Sequence, residues 1–164
     1  MRTSATTSKS KSKAGMPSGG VDAITLLTED HEHVKALFEQ YESLGDRAYA
    51  TKKKLATQIC EELTKHTTVE EEIFYPAVRA ATKDDDMMDE AVVEHASAKD
   101  LIAQILEMDA TEDLFDAKVK VLQEMIEHHV EEEESEMFKK ARGAKLDLEE
   151  LGQQMAERKN EITL

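Results

Sequence analysis

The sequence predicts an all-α fold: an up-down-up-down four-helix bundle with a short C-terminal fifth helix after it and a disordered N-terminal tail before it. Three observations carry this expectation. Only 4% of the 164 residues are aromatic, two are proline, six are glycine and none is Trp, so the apolar 40% is mostly Ala, Leu, Val, Ile and Met, which favour helices over sheets. Apolar residues recur at steps of three and four, the period of a helix with one buried face. The breaks between periodic stretches are short, as antiparallel neighbours require.

The elements follow in chain order. Residues 1–20, "MRTSATTSKSKSKAGMPSGG", hold no acid and few apolar residues and read as a flexible tail. Arg2, Lys9, Lys11 and Lys13 give this segment a faint likeness to an organelle transit peptide, but it lacks an amphipathic face, and it lacks the hydrophobic run of a secretory signal. Four helical stretches, roughly 22–43, 49–81, 86–109 and 112–142, are separated by turn-like breaks at "SLGD", "TKDDD" and "MDATED". After "RGA", Asp147 and Glu150 resemble a capping box, Leu146 and Leu151 suit a hydrophobic staple, and "LEELGQQMAERK" continues as the fifth helix. The expected organisation is a tail over 1–20, a bundle over 21–142 and a C-terminal helix within 143–164.

Each predicted helix carries a polar residue in its apolar seam. The first steps through Ile24, Leu27, His31, Val34, Phe38 and Tyr41. The second gives Ile59, Leu63, His66, Glu70, Ile73 and Ala77, with a histidine and a carboxylate at consecutive core positions. The third gives Met88, Ala91, His95, Ala98, Ile102 and Ile105. The fourth gives Phe115, Val119, Leu122, Ile126, His129, Glu133 and Met137. His33 and His128 point off the seam and read as surface residues, as do Glu72, Glu131, Glu132 and Glu136. Glu71 reads with that solvated acidic face as well, and Glu71 and Glu134 stand as alternative ligands, because the sequence does not fix helix rotation to one residue.

The polar seam positions repeat. His31 to His95 spans 64 residues, and His66 to His129 and Glu70 to Glu133 each span 63, so two helical hairpins each carry a His and then His-x-x-x-Glu. An isolated carboxylate in a core would cost several kcal/mol or take up a proton. Two carboxylates facing four imidazoles are better satisfied by divalent metal. Neutral imidazole nitrogen with carboxylate oxygen suits iron, manganese or zinc, and two carboxylates can each bridge two ions.

Composition excludes other classes. A formal net charge of −15 opposes nucleic acid, whose phosphates call for clustered Lys and Arg. No apolar run approaches the ~18 residues of a membrane span, so a soluble protein is expected. A single cysteine, Cys60, rules out an internal disulfide within the chain and suits a reducing cytoplasm. Neither a Gly-rich phosphate loop nor HExxH occurs, so any catalysis is expected to be metal-based.

The stretches "DHEHVKALF", "KHTTVEEEIFYPAV", "VEHASAKDLI" and "HHVEEEESEMFKKAR" resemble the hemerythrin-like HHE cation-binding family over about residues 22–142, and "LEELGQQMAERK" is similar to the C-terminal helix of bacterial members. The resemblance implies a non-haem centre of two iron ions that binds dioxygen or a related small diatomic ligand or peroxide. It implies His31, His66, Glu70, His95, His129 and Glu133 as the ligands. Oxygen-carrying members have a second histidine one turn after the third-helix ligand, where this chain has Lys99. Lys139 stands where many relatives have a proline matching Pro76, a change expected to touch the helix ending and not the chemistry.

Overall fold

Asp22 starts the first helix. Its side chain accepts a hydrogen bond from the Thr25 backbone N–H at 2.8 Å, and α1 then runs Ala23–Glu42. This computed structural model describes residues 21–164; the tail expected over 1–20 lies outside the described residues. α2 (Tyr49–Val69) continues through a π-helical turn, Glu70–Phe74, into α3 (Tyr75–Thr82). α4 spans Asp85–Glu107. α5 (Phe115–Glu132) likewise passes through a π turn, Glu133–Met137, into α6 (Phe138–Gly143), and α7 is Leu148–Glu161. The result is four long rods and a short fifth helix, with no strand among the described residues.

Local chemistry accounts for the boundaries. The two-residue link from α3 to α4 turns at Lys83, whose φ of 56° is left-handed, and Asp84 then caps the Met87 N–H at 3.2 Å. Asp85 and Asp86 complement the positive end of α4, and at its other end Lys53 Nζ donates to the Ile105, Leu106 and Met108 carbonyls at 3.2, 3.0 and 2.6 Å. The fourth rod begins at Phe115, three residues later than the sequence suggests, because the Glu112 carboxylate accepts the Asp109 N–H at 2.6 Å and closes a turn there. Asp147 caps α7 through the Glu150 N–H at 3.0 Å. Glu150 does not complete the reciprocal capping box and instead accepts from Gln154 Nε2 at 3.1 Å.

α1 pairs with α2 and α4 with α5, while α2 meets α4 across the bundle. α7 lies against α1, α2 and the first π turn. Gly152 permits this approach: a Cβ there would fall 2.3 Å from the Val21 carbonyl oxygen. The core divides into two apolar clusters. One contains Val34, Phe38, Leu63, Ala98, Ile102 and Leu122; the other contains Leu27, Val69, Phe74, Ala91, Met137 and Met155. On each rod the seam crosses from one cluster to the other through a histidine: His31, His66, His95 or His129. A polar layer therefore separates two apolar cores. None of the described helices is long and apolar enough to cross a membrane.

Candidate metal centre

The polar layer gathers six side chains from four rods. His31, His66, Glu70, His95, His129 and Glu133 are all buried, Glu70 completely. The i,i+4 spacing sets each glutamate below its histidine: His66 Nε2 lies 2.5 Å from Glu70 Oε1, and His129 Nε2 lies 3.1 Å from Glu133 Oε2. The other hairpin partners close the ring. His31 Nε2 is 3.2 Å from both His66 Nε2 and Glu133 Oε1, and His95 Nε2 is 3.2 Å from His129 Nε2 and 3.8 Å from Glu70 Oε1. The atoms sort into two overlapping sets, His31, His66, Glu70 and Glu133, and then Glu70, His95, His129 and Glu133. Within each set the donor atoms lie within 4.8 Å of one another, and both sets share the two carboxylates.

The outer faces of the imidazoles decide what the inner faces offer. His66 Nδ1 donates to Asp30 Oδ2 at 3.0 Å, His31 Nδ1 to Glu134 Oε1 at 3.2 Å and His129 Nδ1 to Glu94 Oε1 at 3.2 Å. An ionised carboxylate only accepts, so Nδ1 carries the proton in these three rings and Nε2 turns a lone pair inward. His95 is the exception. Its Nδ1 has no hydrogen-bond partner, and Glu71 Oε2, 3.9 Å away, is held by Lys99. Glu71 and Glu134 thus face the far nitrogens of histidines and not the middle of the layer.

Inward-facing lone pairs and carboxylates repel one another unless a cation or protons lie among them. Both oxygens of Glu70 and Oε1 of Glu133 are buried with no hydrogen-bond donor. Burial and the facing Glu133 push the Glu70 carboxyl up, while Glu133 is held well below the usual carboxylate range, burial being outweighed by the His129 and His31 imidazoles. Burial alone would depress His66, but the Glu70 charge and the Asp30 hydrogen bond push it up to about 10. His129 rises to about 9, where the effect of Glu133 overcomes burial, and His95 falls to about 3 through burial and the neighbouring His129. Protons on His66 and His129 therefore balance the layer when no cation does. This donor set fits divalent metal, which would displace those protons.

Tyr75 joins the layer although the seam did not include it. Its O–H donates to Glu133 Oε2 at 2.6 Å and lies 3.0 and 3.1 Å from His95 Nε2 and His129 Nε2. Burial and the Glu70 and Glu133 charges raise this phenol well above its usual value, so it keeps its proton. The π turn explains the oversight. It adds a residue between Glu70 and the next buried face, which is therefore Phe74, Tyr75 and Val78, while the expected Ile73 and Ala77 are only partly buried. Phe138 holds the equivalent place after the second π turn and stacks on His31, centroids 6.0 Å apart. An aromatic residue five positions after each His-x-x-x-Glu glutamate, Tyr75 and Phe138, was the available signal. His33 and His128 are exposed, as read from the sequence.

Fold and layer together define a class: a helical bundle with a cation site built into its middle. Residues 22–141 match the family described as Hemerythrin HHE cation binding domain, and the chain belongs to that family. It is similar to the crystal structure of a Hemerythrin HHE cation binding domain-containing protein from Mycobacterium kansasii, with 28% identity, a TM-score of 0.73 and 86% of each chain covered. It is also 31% identical over 113 residues to a DNA nickase from Nostoc sp.; the match covers 69% of this chain but 31% of that protein.

Proposed function

We propose that this chain is a non-haem di-iron protein that binds or reacts with dioxygen, peroxide or nitric oxide in a reducing cytoplasm. In this reading His31, His66, Glu70, His95, His129 and Glu133 would hold two iron ions, the donor sets drawing on two imidazoles each and on both carboxylates in common. The single observation that carries it is the convergence of four Nε2 atoms on two buried carboxylates, three of whose four oxygens have no hydrogen-bond partner. Bound iron would supply one-electron redox chemistry toward small oxidants.

The chain's own residues set the conditions. Tyr75 holds a proton 2.6 Å from Glu133 Oε2, at the edge of the His95 and His129 set. A pocket with about 510 Å³ of empty space, part of it open to solvent, is lined by Val93, Ala98, Met125 and Ile126 and reaches His95 and His129. Glu94 and His128 stand at the same wall, so its apolar stretch suits small, weakly polar ligands without excluding cations. Lys99 is engaged with Glu71 and offers no donor to the centre, so this chain lacks the extra imidazole of the oxygen carriers. We infer reaction in preference to durable carriage. Spectra recorded through cycles of air exposure and inert-gas purging test this: air should oxidise the reduced protein and purging should not restore it. Full recovery of the reduced state, cycle after cycle, contradicts it.

One observation favours a second reading, an iron-handling or iron-sensing module. Lys159 of α7 lies 2.5 Å from Asp30 Oδ1, and Asp30 Oδ2 in turn takes His66 Nδ1, so the fifth helix is linked to the layer by one chain of contacts. Metal occupancy could be signalled through that helix. DNA nicking is not carried over from the Nostoc relative, because this chain corresponds to about a third of that protein and its net charge is −15.

A further inference from the structure

We propose that Glu94, His128 and Glu132 form an outer capture site that receives a divalent cation from solvent and passes it inward to His129 and Glu133. The inference rests on the metal-centre reading above and concerns how that centre fills.

The three residues place one donor atom each within 4.8 Å of one another on the α4/α5 face. His128 Nε2 lies 3.3 Å from Glu132 Oε1 and 4.0 Å from Glu94 Oε2. One imidazole and two carboxylates suit a first-row divalent ion, and the exposed His128 can exchange it with water. Glu94 and Glu132 also line a pocket with about 280 Å³ of empty space, part of it open to solvent, whose wall includes Glu90, Glu136, His129 and Glu133 and no Lys or Arg. An acid cluster at the surface is ordinary. Here it shares a pocket with Glu133, a carboxylate only 2% exposed whose Oε1 has no hydrogen-bond donor. Glu94 belongs to both sites, its Oε1 accepting His129 Nδ1 at 3.2 Å while Oε2 faces His128.

The internal repeat shows that this is a property of one half only. Positions equivalent to Glu94, His128 and Glu132 in the first hairpin, 64 and 63 residues earlier, are Asp30, Lys65 and Val69. There the Lys159 ammonium already sits 2.5 Å from Asp30. The first half is thus closed by a protein cation, and the second presents ligands to a free one.

The test uses the full-length chain stripped by chelation and mixed with cobalt(II), its uptake followed by visible absorption in stopped flow. In His128→Ala/Glu132→Gln the uptake rate at sub-saturating cobalt should fall about tenfold, and the parent rate should drop with added salt. Ions bound at the buried centre at saturation should be unchanged, and His33→Ala should match the parent in rate. Equal rates in the double variant and the parent would overturn the proposal, as would a double variant that fills the centre less completely at saturation. A parent that saturates at one buried ion contradicts the dinuclear reading instead, and the rate comparison still decides the capture site.

Discussion

His66 shows how one side chain is fixed from both ends: Asp30 takes its Nδ1 proton at 3.0 Å, and Glu70 sits 2.5 Å from Nε2. Losing a ligand and losing its orienting partner should therefore differ in degree. His129→Ala and Glu133→Ala should strip most of the metal, Asp30→Asn should weaken metal affinity about 10–100-fold, and His33→Ala should change nothing, all read as metal bound per chain after dialysis. A second residue-scale prediction concerns the metal-free protein. His66 and His129, raised to about 10 and about 9 from an ordinary 6.5, contribute stability that is complete below pH 6.5 and is lost as pH rises through those values. His95, lowered to about 3, contributes stability present above 6.5 and lost as pH falls. Melting temperature with chelator present should thus peak near pH 6.5 and decline toward alkaline pH; a rise from there toward pH 10 would contradict these assignments. The inward-facing residues were legible at this scale because His31, His66, Glu70, His95, His129 and Glu133 interrupt apolar seams. Asp30 and Glu94 were not, since nothing in a helical period marks which flanking acid meets a ring nitrogen across the bundle, and Tyr75 falls outside the regular seam because the π turn brings it inward.

At the scale of elements, the sequence located the rods well because each carries a sustained period between short breaks. It missed both π turns, because each places an extra residue without any change of composition. Pro76 follows the first turn and lacks an N–H, yet the second forms with Lys139 at that place, so proline is not what creates it. What the two turns share is a buried glutamate at their first residue, Glu70 or Glu133, and an aromatic ring five residues later, Tyr75 or Phe138. The docking of α7 was equally hidden. It depends on Gly152, where a side chain would strike the Val21 and Asp22 backbone, and on buried Met155. Gly152→Val should cost about 1–3 kcal/mol in denaturant melts through displaced packing. Because Lys159 would shift with the helix, the same variant should also hold metal less tightly; unchanged stability and metal content would show that α7 packs less closely than described.

Across the whole molecule, the arrangement is two apolar cores held apart by one buried layer that carries six metal-type donors. Each hairpin contributes one histidine alone and one His-x-x-x-Glu pair, so neither hairpin can complete either donor set without the other. Buried charge of this kind costs several kcal/mol when uncompensated, and in the proposed centre cation binding across all four rods would convert it into a clamp. The central claim is that two metal ions compensate this layer. Its most direct test is elemental analysis of the full-length protein purified without added metal. About two iron atoms per chain is the predicted result, and a stably folded protein that binds no divalent metal even when iron is supplied would contradict it.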